Sequence, residues 1–121
     1  MSNARLVVLF NLLPGAQEAD MLAWFRNTHK PDVESSRRFR KATVNRRFPA
    51  PTLPMVTVAP YDYVAMYELD AETNDDFQDA TDGLVEKLMA GETNIAEDVI
   101  NWDDVVSYYM LPIDESAPQL V

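Results

Sequence analysis

The chain has 121 residues, no cysteine and a formal net charge of −10. This length suits one domain, and the absence of cysteine excludes disulfides, thiolate nucleophiles and thiolate metal sites. The acidic balance argues against nucleic acid as a partner, because phosphate binding depends on Lys and Arg. No signal peptide and no apolar run of the roughly 20 residues that a membrane span needs is evident. The sequence therefore predicts a soluble, cytoplasmic protein with no membrane partner.

The charges are distributed unevenly along the chain. Eight of the ten basic residues lie between Arg26 and Arg47, and half of the twenty acidic residues lie between Asp75 and Asp104. The simplest interpretation is two solvated faces of opposite sign. The alternative is that the basic stretch attracts an anionic small molecule or pairs with the acidic stretch of a partner subunit.

The chain begins with a predicted strand and a predicted helix. Residues 5–12 are rich in β-branched and large apolar side chains, which is typical of a buried strand. Residues 17–29 follow a helical pattern that places Phe25 and His29 on one face. Pro31 is expected to interrupt this helix.

A short helical piece and two strands are predicted next. Residues 32–36 form the helical piece, because proline is tolerated in the first turn of a helix. Residues 39–48 read as an unusually basic strand, and the prolines of 49–60 then prevent ladder formation. We expect this loop to act as a lid over a pocket. Residues 61–69 alternate with a period of two, which predicts the third strand.

The remaining elements complete a βαββαβ order. Thr73 is the expected N-cap of a second helix that ends at Gly91, while 94–102 holds at most a short helical turn. Residues 104–112 predict the fourth strand, and 114–121 a flexible tail after a single domain over 1–113. The order predicts an α+β, ferredoxin-like fold with helices on one sheet face. A second copy would cover the other face, which predicts a two-fold homodimer.

Several short stretches carry a family resemblance. They are Val8-Leu9-Phe10-Asn11, Trp24-Phe25, His29-Lys30-Pro31-Asp32-Val33, Arg47-Phe48 and Tyr63-Val64-Ala65-Met66-Tyr67-Glu68. In order and type they resemble the EthD-like members of the dimeric α/β-barrel superfamily. The resemblance covers roughly residues 5 to 70 and departs from the family at the Pro-rich loop 49–60 and at Ser35-Ser36-Arg37-Arg38. It implies a dimeric α/β barrel in which the histidine matching His29 lines a pocket and often acts as acid or base.

His29 is the main candidate for catalysis. It is the only histidine, and its unperturbed pKa lies near neutral pH, so we expect activity to follow a group that titrates near pH 6 to 7. Its place near the end of the predicted helix would favour the protonated form. The alternative is a histidine that only packs or caps there. Asp32 lies three residues on, where it would orient the imidazole or remain solvated.

The other candidates would bind or orient a ligand. Asn11 would donate to a substrate carbonyl or cap a turn, and a tyrosine hydroxyl would bind an oxyanion or reach the rim of an aromatic core. These supporting candidates are Asn11, Trp24, Phe25, Asp32, Tyr63, Tyr67 and Tyr109.

The leading functional hypothesis is a cofactor-independent enzyme that acts on a small, mostly apolar, oxygenated molecule. Its chemistry would be proton transfer in a cyclisation, isomerisation or elimination, with His29 as acid or base. A non-catalytic binding or accessory protein and a cofactor-free monooxygenase are the alternatives. One histidine with scattered carboxylates predicts no metal site, and a haem bound by His29 is a remote alternative.

Overall fold

A computed structural model, which describes residues 3–50 and 52–113, confirms the α+β order. Strands β1 (Ala4–Phe10), β2 (Phe39–Arg46), β3 (Tyr63–Leu69) and β4 (Val106–Met110) form one antiparallel sheet. The strand order is β2-β3-β1-β4. With helices packed on one face, this arrangement is compatible with a ferredoxin-like fold.

The strands are shorter than the sequence predicts. Strand β1 ends at Phe10, and Leu12 forms only an isolated bridge to Ile100. Strand β2 ends two residues before Phe48, and a 3₁₀ turn over Trp102–Asp104 delays the start of β4. Propensity therefore located each strand, while the pairing partners determined its ends.

The prediction that Pro31 interrupts the first helix is wrong. Helix α1 (Glu18–Trp24), a π-helical turn (Phe25–His29) and α2 (Lys30–Glu34) follow one another without a gap. In the π turn the Lys30 N–H donates to the Phe25 carbonyl, five residues back. A proline inside an α-helix clashes with the carbonyl four residues earlier. The wider π turn makes room for the ring and keeps the helix intact.

The second long helix begins where the sequence predicts. Helix α3 (Asn74–Met89) is capped by Thr73, whose hydroxyl accepts from the Asp76 N–H while the Asp76 carboxylate accepts from the Thr73 N–H. This reciprocal pair is a capping box. Gly91 follows the helix at a φ of 70°, a left-handed conformation that favours glycine at this stop.

The capping box gives a direct stability prediction. Thr73→Ala removes the hydroxyl that accepts from the Asp76 N–H, so we expect a loss of about 1 kcal/mol in the free energy of unfolding. Chemical denaturation measures it. Thr73→Ser keeps the hydroxyl and should stay within a few tenths of a kcal/mol of the parent; an equal loss in both variants would contradict the capping role.

The two faces of the sheet differ in what they contact. On β3, Tyr63, Ala65, Tyr67 and Leu69 are buried on the face under the helices, as the alternation predicts. Over the opposite face no helix lies among the described residues, and β2 with the adjoining strand ends places polar side chains there (Arg5, Lys41, Thr43, Asn45 and Glu68). The rest of this face is apolar. By strand register it carries Val7, Leu9, Val64, Met66, Val106, Tyr108 and Met110.

Arginines of the basic stretch form ion pairs with acidic residues of the same chain. Arg37 contacts Asp79 and Glu86, and Arg38 contacts Asp76 and Asp79, all on α3. Two residues of the basic stretch thus pair with the acidic stretch of the same chain. Four more pair with acidic residues elsewhere, namely Lys30 with Glu34, Arg40 with Asp70, Arg46 with Glu18 and Arg47 with Asp62. Pairs this exposed contribute little stability each, but they leave few basic side chains free to attract an anion.

Other predictions concern the remainder of the chain. The predicted tail 114–121 lies outside the described residues. Within 52–60 the side chains are exposed, and Leu53 and Met55 are 71% and 96% exposed. Among the described residues, no helix is both long enough and apolar enough to cross a membrane.

Candidate functional site

A mostly apolar cavity of about 240 Å³ lies between the sheet and the helices. Strands β1, β3 and β4 form its floor, and the two helical segments form its walls. Its lining comprises Leu6, Val8, Trp24, His29, Asp32, Val33, Tyr67, Leu84, Lys87, Leu88, Thr93, Asn94, Ile95, Trp102, Val105 and Ser107. Four of the predicted site residues meet here: Trp24, His29, Asp32 and Tyr67.

The polar centre of the cavity is a histidine–tyrosine pair. The Nε2 atom of His29 lies 2.6 Å from the hydroxyl oxygen of Tyr67. Tyr67 is held on the buried face of β3, and His29 is held by stacking on Trp24, with ring centroids 4.4 Å apart. Residues five apart in an α-helix diverge by about 140°. The π turn, in which hydrogen bonds join residues five apart, reduces this divergence and allows Trp24 to stack on His29.

Burial keeps both members of the pair uncharged at neutral pH. Desolvation lowers the pKa of His29 to about 4, against a smaller opposing effect of the Asp32 carboxylate. Desolvation also raises the pKa of Tyr67 well above its usual range. The expected titration of His29 near pH 6 to 7 is therefore wrong. His29 does not lie at a helix end, so the helix dipole does not offset its desolvation.

The roof of the cavity is held by both tryptophans of the chain. The Trp24 indole N–H donates to the Asn94 carbonyl at 2.7 Å, and the Trp102 indole N–H donates to the Ile95 carbonyl at 2.8 Å. Ala96 follows at a φ of 52°, a strained conformation for a residue other than glycine. The two indoles thus fix the irregular segment that closes the cavity on one side.

An ion pair crosses the cavity wall between the helices. The ammonium of Lys87 on α3 lies 3.2 Å from Oδ1 of Asp32 on α2 and 3.0 Å from the Asp32 carbonyl. It also contacts the hydroxyl of Ser35 at 2.7 Å. Asp32 is therefore engaged by Lys87, and the hydrogen-bond partner of His29 is Tyr67 rather than Asp32.

The remaining predicted residues lie outside the cavity lining. The Asn11 side chain donates to the Pro60 carbonyl and to the Asp104 carboxylate in the 3₁₀ turn before β4, and it accepts from the Asp62 N–H. These contacts favour the alternative in which Asn11 caps a turn.

Two of the predicted tyrosines and Phe25 also serve the core. The Tyr63 hydroxyl donates to Glu18, and desolvation with this contact raises its pKa to about 12. The Tyr109 hydroxyl shares a hydrogen bond with Thr81. Phe25 is buried beside the His29 ring, with centroids 5.5 Å apart.

The predicted lid does not border this cavity. Among the described residues of 49–60, none belongs to the lining. Segment 93–95 and Trp102 close the cavity instead. The sequence analysis did not identify these residues or Lys87. Lys87 is the only basic residue after Arg47, and its isolation among acidic residues was the signal that could have identified it.

A second, wider cleft of about 360 Å³ lies beside α3. It is lined by Ser36, Arg37 and Glu86 among others, and Arg37 and Glu86 pair with each other. It contains no predicted site residue. The described residues include no cluster of three or more His, Asp or Glu side chains arranged for a metal ion.

Comparison with protein-family models gave no match. Comparison with curated proteins gave no match either.

Proposed function

We propose that this protein is a cofactor-independent enzyme that moves a proton beside a carbonyl group of a small, mostly apolar molecule. The observation that supports this most is the 2.6 Å contact between His29 and Tyr67 in the wall of an apolar cavity. An apolar cavity with a few convergent polar groups is typical of small-molecule sites. The proposal also agrees with the resemblance to EthD-like proteins, in which the matching histidine lines the pocket.

The pair supplies a proton acceptor, His29, and a hydrogen-bond donor for the developing oxyanion, Tyr67. Since the pKa of His29 is lowered to about 4, its imidazole is neutral and able to accept a proton throughout the physiological range. In the tautomer that this step needs, the His29 Nε2–H donates to the Tyr67 oxygen, so Nδ1 is the atom that accepts the proton. The Tyr67 O–H then donates to an oxygen that becomes negative as the carbon–hydrogen bond breaks. Asp32 carries a charge that favours the imidazolium formed in that step. A cyclisation, an isomerisation or an elimination would share this first step.

A cyclisation, an isomerisation and an elimination would all begin by removing a hydrogen beside the carbonyl, so the experiment measures that removal. Small aryl ketones are incubated in D₂O with the protein, and proton NMR follows the loss of the signal from hydrogens beside the carbonyl. Protein-dependent exchange supports the proposal, whereas binding without exchange for every ketone supports the second candidate below. Consumption of oxygen during the incubation would favour a cofactor-free monooxygenase instead.

The second candidate is a binding or accessory protein without catalysis. Two observations favour it: most of the cavity lining is apolar, and burial makes His29 a weak base. In that case Tyr67 and His29 only bind a ligand oxygen.

We further propose that the uncovered sheet face is the interface of a homodimer, as in a dimeric α/β barrel. This face carries seven apolar side chains, and Tyr108 and Val106 remain 49% and 44% exposed in one copy. Apolar faces of this kind are typical of interfaces between subunits.

Light scattering tests the dimer. The chain should run near twice 13.7 kDa and remain so at high salt, because apolar contacts are not screened. Tyr108→Asp should shift it to monomer, since the new charge would be buried. Val85→Asp makes the same charge change on α3, where Val85 is 47% exposed, and should leave the dimer intact. A parent protein that is monomeric at micromolar concentration would contradict the barrel.

A further inference from the structure

The charge carried by the cavity lining indicates the class of molecule that it accepts. Of the described residues that line the cavity, only Asp32 and Lys87 carry a charge at neutral pH, because His29 and Tyr67 are uncharged there. These two charges lie 3.2 Å apart and compensate each other. The lining is therefore neutral as a whole.

Lys87 has no hydrogen left for a ligand. An ammonium has three N–H donors, and three oxygens lie within 2.7 to 3.2 Å of Nζ, which are the Ser35 hydroxyl, the Asp32 carbonyl and Asp32 Oδ1. A carboxylate that entered the cavity would have to displace Asp32 from this site. Otherwise it would be buried without a counter-charge, which is costly.

The rim of the cavity also disfavours anions. Glu92 and Asp103 adjoin the lining residues Thr93 and Trp102, and Glu97 and Asp98 follow the roof. All four are exposed, and no basic residue follows Lys87 in the sequence. The arginines that could offset them at positions 37 and 38 pair with α3 instead. We therefore expect a negative potential on the side of the cavity that segment 92–103 closes.

The volume limits the size of the ligand. A cavity of about 150 Å³ holds benzene, so 240 Å³ suffices for one ring with a few further atoms. One hydrogen is used between His29 and Tyr67, so the pair keeps one donor for an oxygen of such a molecule, the Tyr67 O–H or the His29 Nδ1–H according to the tautomer.

We infer that the cavity takes an uncharged molecule built on one ring with a carbonyl or hydroxyl group, and that it rejects a carboxylate of the same shape. The inference rests on the proposed small-molecule function of the cavity. It also selects against the anionic ligand that the basic stretch of the sequence suggested.

Three probes of nearly equal shape test this inference: benzamide is neutral, benzoate is an anion and benzamidine is a cation at pH 7. Tryptophan fluorescence reports binding, because both tryptophans of the chain line the cavity. Benzamide should bind at least about tenfold more tightly than either charged probe. Raising the ionic strength from about 0.01 M to about 0.5 M should reduce the difference in affinity between benzamide and benzoate, because salt screens the acidic residues near the cavity.

Two variants of the ion pair supply matched controls. Asp32→Asn keeps the shape and an acceptor oxygen but removes the counter-charge of Lys87. Binding of benzoate should therefore tighten about tenfold, whereas the affinity for the neutral benzamide should change less than that for benzoate. Lys87→Met leaves the Asp32 carboxylate without its counter-charge and should weaken the binding of benzoate further. Thermal melting verifies that both variants fold; if either does not, the ionic-strength series on the parent protein decides.

The outcomes separate this inference from the proposed function. If benzoate binds the parent protein as tightly as benzamide, or Asp32→Asn leaves benzoate unchanged, the inference is overturned and the small-molecule site stands. If none of the three probes binds, the small-molecule site itself is contradicted.

Discussion

Replacing His29 by alanine is expected to lower the rate of carbon-bound hydrogen exchange by about 10² to 10⁴-fold. The imidazole is the acceptor for the proton in the proposed step. His29→Ala also removes a ring that stacks on Trp24 and contacts Phe25 and Tyr67, so we expect it to lose about 2 kcal/mol of stability as well. The measured exchange rate must therefore be divided by the fraction of the protein that is folded.

Tyr67→Phe is the matched variant for this prediction. It retains the ring on β3 and removes only the hydroxyl that lies 2.6 Å from His29. Exchange should fall by about 10²-fold or more, while binding of benzamide should weaken only about tenfold. If both variants exchange hydrogen as fast as the parent protein, the pair is not catalytic and the binding-protein alternative is favoured.

The second large effect is a loss of stability in mild acid. The pKa of His29 is lowered to about 4 in the folded protein from 6.5, so between these values the unfolded chain binds more protons than the folded one. Stability that depends on neutral His29 is complete above pH 6.5 and is lost as the pH falls toward 4, by about 3 kcal/mol. Urea unfolding at pH 7.5 and pH 4.5 measures the loss.

His29→Gln is the control for the acid effect. It cannot titrate, and its amide offers Tyr67 a hydrogen-bond partner. The carboxyl groups of Asp76 and Asp79, whose pKa values hydrogen bonds hold below their usual range, are the same in both proteins and cancel in the comparison. The variant should therefore lose about 2.5 kcal/mol less than the parent between pH 7.5 and pH 4.5; equal losses would mean that His29 is already solvated.

Local sequence patterns predicted much of the fold because they act within one element. The alternation over β3 placed Tyr67 on the buried face, and the spacing of Thr73 and Asp76 set the start of α3. Both features follow from periodicity or from contacts between neighbours in sequence.

The helix through Pro31 could not be predicted in this way. Its continuation depends on a π turn, which has no simple pattern and is stabilised by packing of the rings of Trp24, His29 and Tyr67. In a regular α-helix, residues 24 and 29 would lie on different faces. The stacking of Trp24 on His29 therefore could not be predicted either.

The site was predicted only in part for a related reason. His29, Tyr67, Trp24 and Asp32 were recognised from residue type and resemblance, and they meet in the cavity. The link from Asp32 to Lys87 joins residues 55 apart in sequence. Contacts over such separations arise from the topology of the sheet and helices, which no local pattern records.

The burial that lowers the pKa of His29 is also a tertiary effect. Sequence alone gave the unperturbed value near neutral pH. The walls that desolvate the ring come from strands and helices far apart in the chain, so the direction of the shift became evident only with the fold.

Because the chain has one histidine, NMR titration of its imidazole signal tests the central claim most directly. The account predicts an apparent pKa of about 4 and a change in that signal when benzamide binds, since His29 lines the cavity. A pKa near 6.5 with no response to any cavity ligand would place the ring in solvent, and the catalytic role of His29 would then be abandoned.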